Sequence, residues 1–374
     1  MSEYQYYEFV AIDQPLTAKQ QSELRALSTR ARITSSGFAN DYQWGDLKGD
    51  PRVWMEKYFD AHLYLANWGS HRVALRLPRS VLAPDIAARY CVGASTTSWS
   101  TRTHVILDLS SVDEDGDEEL CEPDGRLAAI VPARAELAAG DLRLLYLVWL
   151  LAVQDRELDD DELEPPVPAG LAELSGPQQA LAEFLRLDVD LLAAAAAASE
   201  PMTPASDSVL RRWVKALPAA DKDDLLVRVL SGDGRAEMLR RFHGGSDQHA
   251  TDGRRTVGEL LLNAERLWER REASARRRED DRRRRHEKAA AEARALRLAE
   301  LAKDADAAWD RVDALIATKK PKEYDDAVML LVDLRDLAFL AGGTDGFEER
   351  MRLLRVRHAR KASLLDRLAR VRLD

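Results

Sequence analysis

The chain has 374 residues, 45% of them hydrophobic, enough for two or three cores and too many for a disordered polymer. Only two cysteines occur, Cys91 and Cys121, which excludes a disulfide framework and fits a reducing cytoplasm. The net charge of −10 divides unevenly: residues 1–200 carry 17 basic and 33 acidic side chains, residues 201–374 carry 38 and 32, so nucleic acid is disfavoured near the first half and an acidic partner admissible near the second.

Met1 to Val10 lacks a basic region and a long apolar stretch, so no secretory signal is expected. Tyr7 to Ile12 is rich in β-formers and predicts a strand. Thr17 with Gln20 three residues on is a capping box that opens a helix through about Ser28. Asp50-Pro51 supplies an N-cap and a proline at the first helical position, so Pro51 to Phe59 should be helical. His62 to Asn67 and Arg72 to Leu77 are strand candidates around a tight turn at Trp68 to His71. Pro84 to Tyr90 reads as a short helix and Thr103 to Leu109 as a strand. This order predicts an α+β domain over residues 1–130, an antiparallel or mixed sheet with helices on one face.

The acidic run Val112 to Glu122 fails the calcium-loop pattern. Counted from Asp113, the sixth and twelfth positions hold Glu118 and Asp124 instead of glycine and glutamate. Residues 131–255 predict a helical bundle. Asp141 can cap the apolar run Leu144 to Val153, which at ten residues is about half of a bilayer span and reads as a buried helix, so no membrane contact is expected. An acidic, proline-rich linker follows over 155–170, unable to form a long helix or a central strand. Helices are predicted at Pro177 to Leu185, Val189 to Ser199, Ser206 to Leu217, Ala219 to Leu230 and Arg235 to Phe242.

Residues 256–318 predict one long helix rich in Arg, Glu and Ala. From Glu269 to Ala295 it has no apolar side chain larger than alanine, so it has good helix formers and nothing large to bury. Residues 319–374 predict a C-terminal αα-hairpin, with Tyr324, Val328, Leu331 and Leu334 on one face, Phe347, Met351 and Leu354 on another, and a turn at Gly342-Gly343.

The interaction candidates are Arg276, Arg277, Arg278, Arg282, Arg283, Arg284 and Arg285, since guanidinium groups grip carboxylates and phosphates bidentately. Acids interleave with them. Glu272, Glu279, Asp280 and Asp281 stand four residues before Arg276, Arg283, Arg284 and Arg285, the acid-first spacing that stabilises a solvated helix. Asn67, Trp68, His71 and Arg72, with Trp44, Tyr42 and Arg76, are the residues that a pocket in the head would use, against the plainer expectation of a hairpin turn beside a packed tryptophan. Cys91 with His104 is a formal nucleophile–base pair, and His243, Asp247 and His249 a formal metal set in a Gly-Gly loop where solvation is the simpler expectation. No P-loop, dinucleotide-binding glycine pattern or nucleophile elbow occurs, so no catalytic residue, metal or cofactor is assigned.

Two stretches carry family resemblances. The tail, through Tyr324-Asp325, Leu334 to Ala338 and His358 to Lys361, resembles the C-terminal helical tail of some bacterial SWIM zinc-finger proteins over about 55 residues. SWIM zinc binding needs C-x-C and then C-x-H. Cys91 and Cys121 stand alone, so the finger is absent and its role does not carry over. The head, from Tyr6 to Thr17 and again at Asn67 to Arg72, resembles a family of uncharacterised bacterial proteins, which implies no activity. Together these features lead to a non-enzymatic scaffold or adaptor that engages a protein partner or a second copy through the charged helix and the amphipathic hairpin. The alternatives are nucleic-acid association through Arg276 to Arg285 and an enzyme with its site in the head.

Overall fold

The computed structural model describes residues 4–113, 123, 125–202, 207–230, 238 and 254–373. They pack as two compact units, Met1–Arg271 and Glu272–Asp374.

The first unit is built on a seven-stranded antiparallel sheet. Its strands are β1 (Gln5–Val10), β2 (Arg32–Ile33), β3 (Gly37–Tyr42), β4 (Ala61–Ala66), β5 (Ser70–Pro78), β6 (Thr96–Ser100) and β7 (His104–Val112), in the order β2-β3-β1-β4-β5-β7-β6. The four strands expected from β-former content are present. Strands β2, β3 and β6 were not expected, because Gly37–Tyr42 contains Gly, Asn and Asp, Thr96–Ser100 has no aliphatic residue, and β2 is two residues long. The caps form as the spacing requires: Thr17 and Gln20 exchange hydrogen bonds at the start of α1 (Ala18–Leu27), and Asp50 accepts from Arg52 and Val53 at the start of α2 (Pro51–Lys57).

Helices cover both faces of the sheet, where one face was expected. Phe9, Phe38, Ala74 and Ile106 meet Leu24 of α1, Trp54 and Met55 of α2 and Phe59 beyond it. On the other face Leu63, Leu65, Val73, Leu75, Val105, Leu107 and Leu109 pack under α3 (Pro84–Tyr90), α4 (Arg126–Ala138), α5 (Arg143–Gln154), α6 (Gly176–Phe184) and α7 (Val189–Ala196). Leu63, Val73, Leu75, Val105 and Leu107 lie on one face and Phe9, Phe38, Ala74 and Ile106 on the other, so a one-sided cover would leave a hydrophobic patch in water. For the same reason residue 130 is no boundary between cores: Leu127, Ile130 and the run Leu144 to Val153 are buried with the strands. Asp141 accepts from the Arg143 backbone N–H at 3.0 Å, at the start of α5. Two further helices, α8 (Asp207–Ala216) and α9 (Ala219–Leu230), follow. The stretch expected to be helical from Arg235 to Phe242 lies outside the described residues except for position 238.

The acidic segment 155–170 is an ordered strap. Leu163 and Thr256 form an antiparallel bridge, Glu164 donates its backbone N–H to Arg255 O at 3.0 Å, and Val257 donates to Glu162 O at 2.9 Å. Glu164 is buried. Its carboxylate takes two bonds from Arg255, at 2.7 and 2.9 Å, and one from the Tyr146 hydroxyl. Arg255 also donates to Ala194 O at 2.7 Å. This network fixes the start of α10 (Val257–Ala302), which a Thr256–Glu259 capping box opens and whose Val257, Leu260 and Ala264 enter the first core.

The helix expected over 256–318 is two helices. α10 ends at Ala302, and α11 (Ala305–Ala317) starts afresh with Asp304 accepting from the Ala307 N–H at 3.0 Å. An aspartate that caps offers the backbone an alternative to continuing the helix. In the second unit α11 packs along α12 (Pro321–Leu340), which turns through Gly342 at φ 69° into α13 (Thr344–Arg357), the expected hairpin. α14 (Ala362–Arg370) adds Leu364 and Leu368 to one core with Val312, Ile316, Leu331, Leu334, Met351 and Leu354. Leu301 of α10 packs there too, Leu298 is buried, and Arg297 pairs with Asp333 at 3.0 Å.

Candidate functional site

All seven cluster arginines lie on an exposed stretch of α10. From Glu269 to Arg297 every residue is exposed except the half-buried Glu272. One of the four expected acid-first pairs forms, Glu272 with Arg276 at 2.6 Å. Arg283 turns instead to Asp280, one turn back, at 2.7 Å, and lies 3.9 Å from Glu287. Exposed pairs are worth only tenths of a kcal/mol each, so small differences in reach decide among equivalent neighbours. Arg278 donates to its own helix, to Ser274 O at 3.3 Å. Arg277, Arg282, Arg284 and Arg285 make no ion pair with any described residue. Arg277 and Arg284, and likewise Arg278 and Arg285, are seven residues apart, so they form two adjacent rows on the helix surface. Rows of guanidinium groups with open donors can grip carboxylates or phosphates on another molecule.

The head residues do not converge. Trp44 is 84% exposed and Trp68 44% exposed. Asn67 accepts from the Tyr4 backbone N–H at 2.9 Å, which closes the end of the β1–β4 pair. His71 and Arg72 are neighbours in β5, so strand alternation sends them to opposite faces of the sheet. His71 is buried against α6, stacked on Phe184 with ring centroids 4.6 Å apart. Its Nδ1 bonds Phe184 O at 2.5 Å, and its Nε2 lies 3.2 Å from the Arg186 guanidinium. Burial, then Arg186 and Arg126, hold its pKa below the ordinary histidine value, so the ring is a neutral fastener.

Arg72, on the other face, pairs through two bonds with Asp108, the first at 2.6 Å. Around it sit Tyr42, already named from the sequence, and residues that the sequence did not single out. Tyr64 donates to Gln5 at 3.0 Å and Tyr7 to Asp46 at 2.7 Å, and Tyr42 packs edge-on against Tyr7. Burial pushes the Tyr64 hydroxyl up to about 12 and raises that of Tyr7, so both remain donors. Only the period-two alternation of β1 and β4 could have flagged this set, and it needs the register to bring the two strands together.

Arg76 is structural. It donates to buried Asp60 at 2.8 and 3.1 Å. Burial raises the Asp60 pKa, but the Asp13 and Ile12 backbone N–H groups and Arg76 outweigh it and lower the net value. Cys91 and His104 belong to opposite sides of the sheet. Cys91 packs against the core that holds Val105, and His104 precedes Val105 on the strand. Burial pushes the Cys91 thiol up to about 12, which removes the thiolate a nucleophile needs. His243, Asp247 and His249, and Cys121, lie outside the described residues. Among the described residues no group of three His, Cys, Asp or Glu side chains is placed to hold a metal. No described helix is long and apolar enough to cross a membrane. No known protein family, no curated protein and no solved structure matches the chain.

Proposed function

We propose that the chain is a non-enzymatic scaffold that docks an acidic protein partner on the guanidinium rows of α10, with the amphipathic C-terminal helices as a second contact surface. The observation that supports this is a helix stretch that buries almost nothing yet presents Arg277, Arg282, Arg284 and Arg285 without ion pairs to any described residue. A merely solvated helix gains from pairing its charges internally; four open guanidinium groups are worth more against an external anion. Nucleic acid is the second reading. The same cations serve it, but residues 264–290 hold 11 basic and 7 acidic side chains, and no aromatic residue is interleaved between Arg276 and Arg285 for base stacking.

The test is a full-length variant with Arg277, Arg282, Arg284 and Arg285 changed to Glu. Its helix content should match the parent by circular dichroism, and cross-linked partners recovered from the native cells should disappear. Recovery of the same partners by parent and variant would overturn the scaffold reading. Binding of a random-sequence duplex that weakens steeply with salt would replace it with the nucleic-acid reading.

A further inference from the structure

A groove of about 470 Å³ runs along the first turns of α10, between the acidic strap, the end of α5 and the start of α7. That volume lies within the range of small-ligand sites. Two of its acidic residues, Asp160 and Asp188, are positioned by backbone hydrogen bonds. Asp160 accepts the Gly258 N–H on its own carbonyl at 2.9 Å, which brings its side chain to the rim. Gly258 permits that approach, since a Cβ there would lie 3.2 Å from Asp160. Asp188 caps α7, with one carboxylate oxygen accepting from Asp190 and Leu191 at 2.8 Å, and Gln154 accepts its backbone N–H at 2.7 Å. Asp190 is neutralised by Arg271 at 2.6 Å. Asp160, Asp188 and Glu265 make no ion pair with any described residue, and Arg156 is the single cation among the lining residues.

The rest of the lining is apolar. Leu191 and Leu261 form the floor, and Leu262 and Trp268 stand 47% and 48% exposed at the edge. The half-exposed face of Trp268, inside a concavity with net negative charge, is open to a cation. A simple metal ion would have no use for the leucines or the tryptophan. An uncharged hydrophobe would have none for the carboxylates. A cation on an alkyl stem satisfies both: the stem lies on Leu191, Leu261 and Leu262, and the charged end stacks on Trp268 and bonds Glu265 or Asp160.

We infer that this groove is a binding site for a small organic cation with an alkyl chain, of the polyamine or guanidinoalkylamine class. The inference stands apart from the docking role of the arginine rows, since none of those residues lines the groove. The experiment is calorimetric titration of the full chain with spermidine and, separately, with agmatine at constant ionic strength, with magnesium chloride as the control. Saturable one-to-one binding is expected for the organic cations. Glu265→Gln and Trp268→Ala, both at exposed positions, should each weaken it by about fivefold, the scale of a partly desolvated cation–aromatic or ionic contact. Arg156→Asn should strengthen it, because it removes the one opposing charge from a left-handed position that asparagine tolerates. A gain of affinity cannot come from misfolding. The inference fails if magnesium gives the same heat as spermidine, if neither organic cation binds, or if all three variants bind like the parent. A response to agmatine alone would assign the guanidinium end, and to spermidine alone the polyamine.

Discussion

His62 shows how much one buried side chain can decide. Its ring lies 3.9 Å from that of Phe9 and nearly parallel to it, and its Nδ1 bonds Glu8 O at 2.9 Å. Burial pushes its pKa down to about 4 from 6.5. Between those values the unfolded chain binds a proton that the folded chain refuses. Stability from this site is therefore complete above pH 6.5 and falls as the pH drops toward 4, by about 3 kcal/mol in all. His71 shifts in the same direction, so the parent alone cannot apportion the effect. His62→Phe keeps the stack and removes the titration. Urea unfolding between pH 7 and 4 should show a shallower loss of stability in the variant, and equal slopes would refute the assignment. At this scale the sequence was partly legible. It marked Trp68, His71 and Arg72 as notable, but residue type alone carries no information about which sheet face a side chain meets, and β5 sends His71 and Arg72 to opposite faces.

Among the elements, α10 was the most legible and the strap before it the least. A long run of good helix formers without large apolar residues was enough to place the helix. Its end was not visible, because Asp304 is equally acceptable on an exposed helix surface and as a cap. Composition marked 155–170 as a linker, yet Glu164 in it is buried and paired with Arg255, 91 residues later. Such a pairing is invisible to local patterns. Removing Arg255 leaves that carboxylate buried without a counter-charge, which costs about 3–5 kcal/mol. Arg255→Ala should lower the stability of the unit that contains the sheet by that order in chemical unfolding, and Arg255→Lys by less, since one ammonium cannot reproduce the paired contact. A loss below about 1 kcal/mol in the alanine variant would show that the network is not what anchors the start of α10.

At the scale of the whole chain, the two units hold separate cores, one around the sheet and one of α11 to α14 with the end of α10. Calorimetry should resolve two unfolding transitions. Leu331 is fully buried in the second core, so Leu331→Ala should lower one transition, at a cost of about 2–5 kcal/mol, and leave the other in place. Equal displacement of both would mean that the units unfold as one. The sequence by itself determined the capped helices, four of the seven strands, the exposed arginine-rich helix and the glycine turn between α12 and α13. These follow from short-range rules of capping, propensity and periodicity, which act within a few residues. Only the tertiary structure decided that α3 to α7 share the core of the sheet, that the strap belongs to the fold, that His71 and Arg72 part company, and that Asp160, Asp188, Glu265 and Trp268 meet around a groove. Those outcomes depend on strand register and on burial between residues far apart in the chain, which no local pattern encodes.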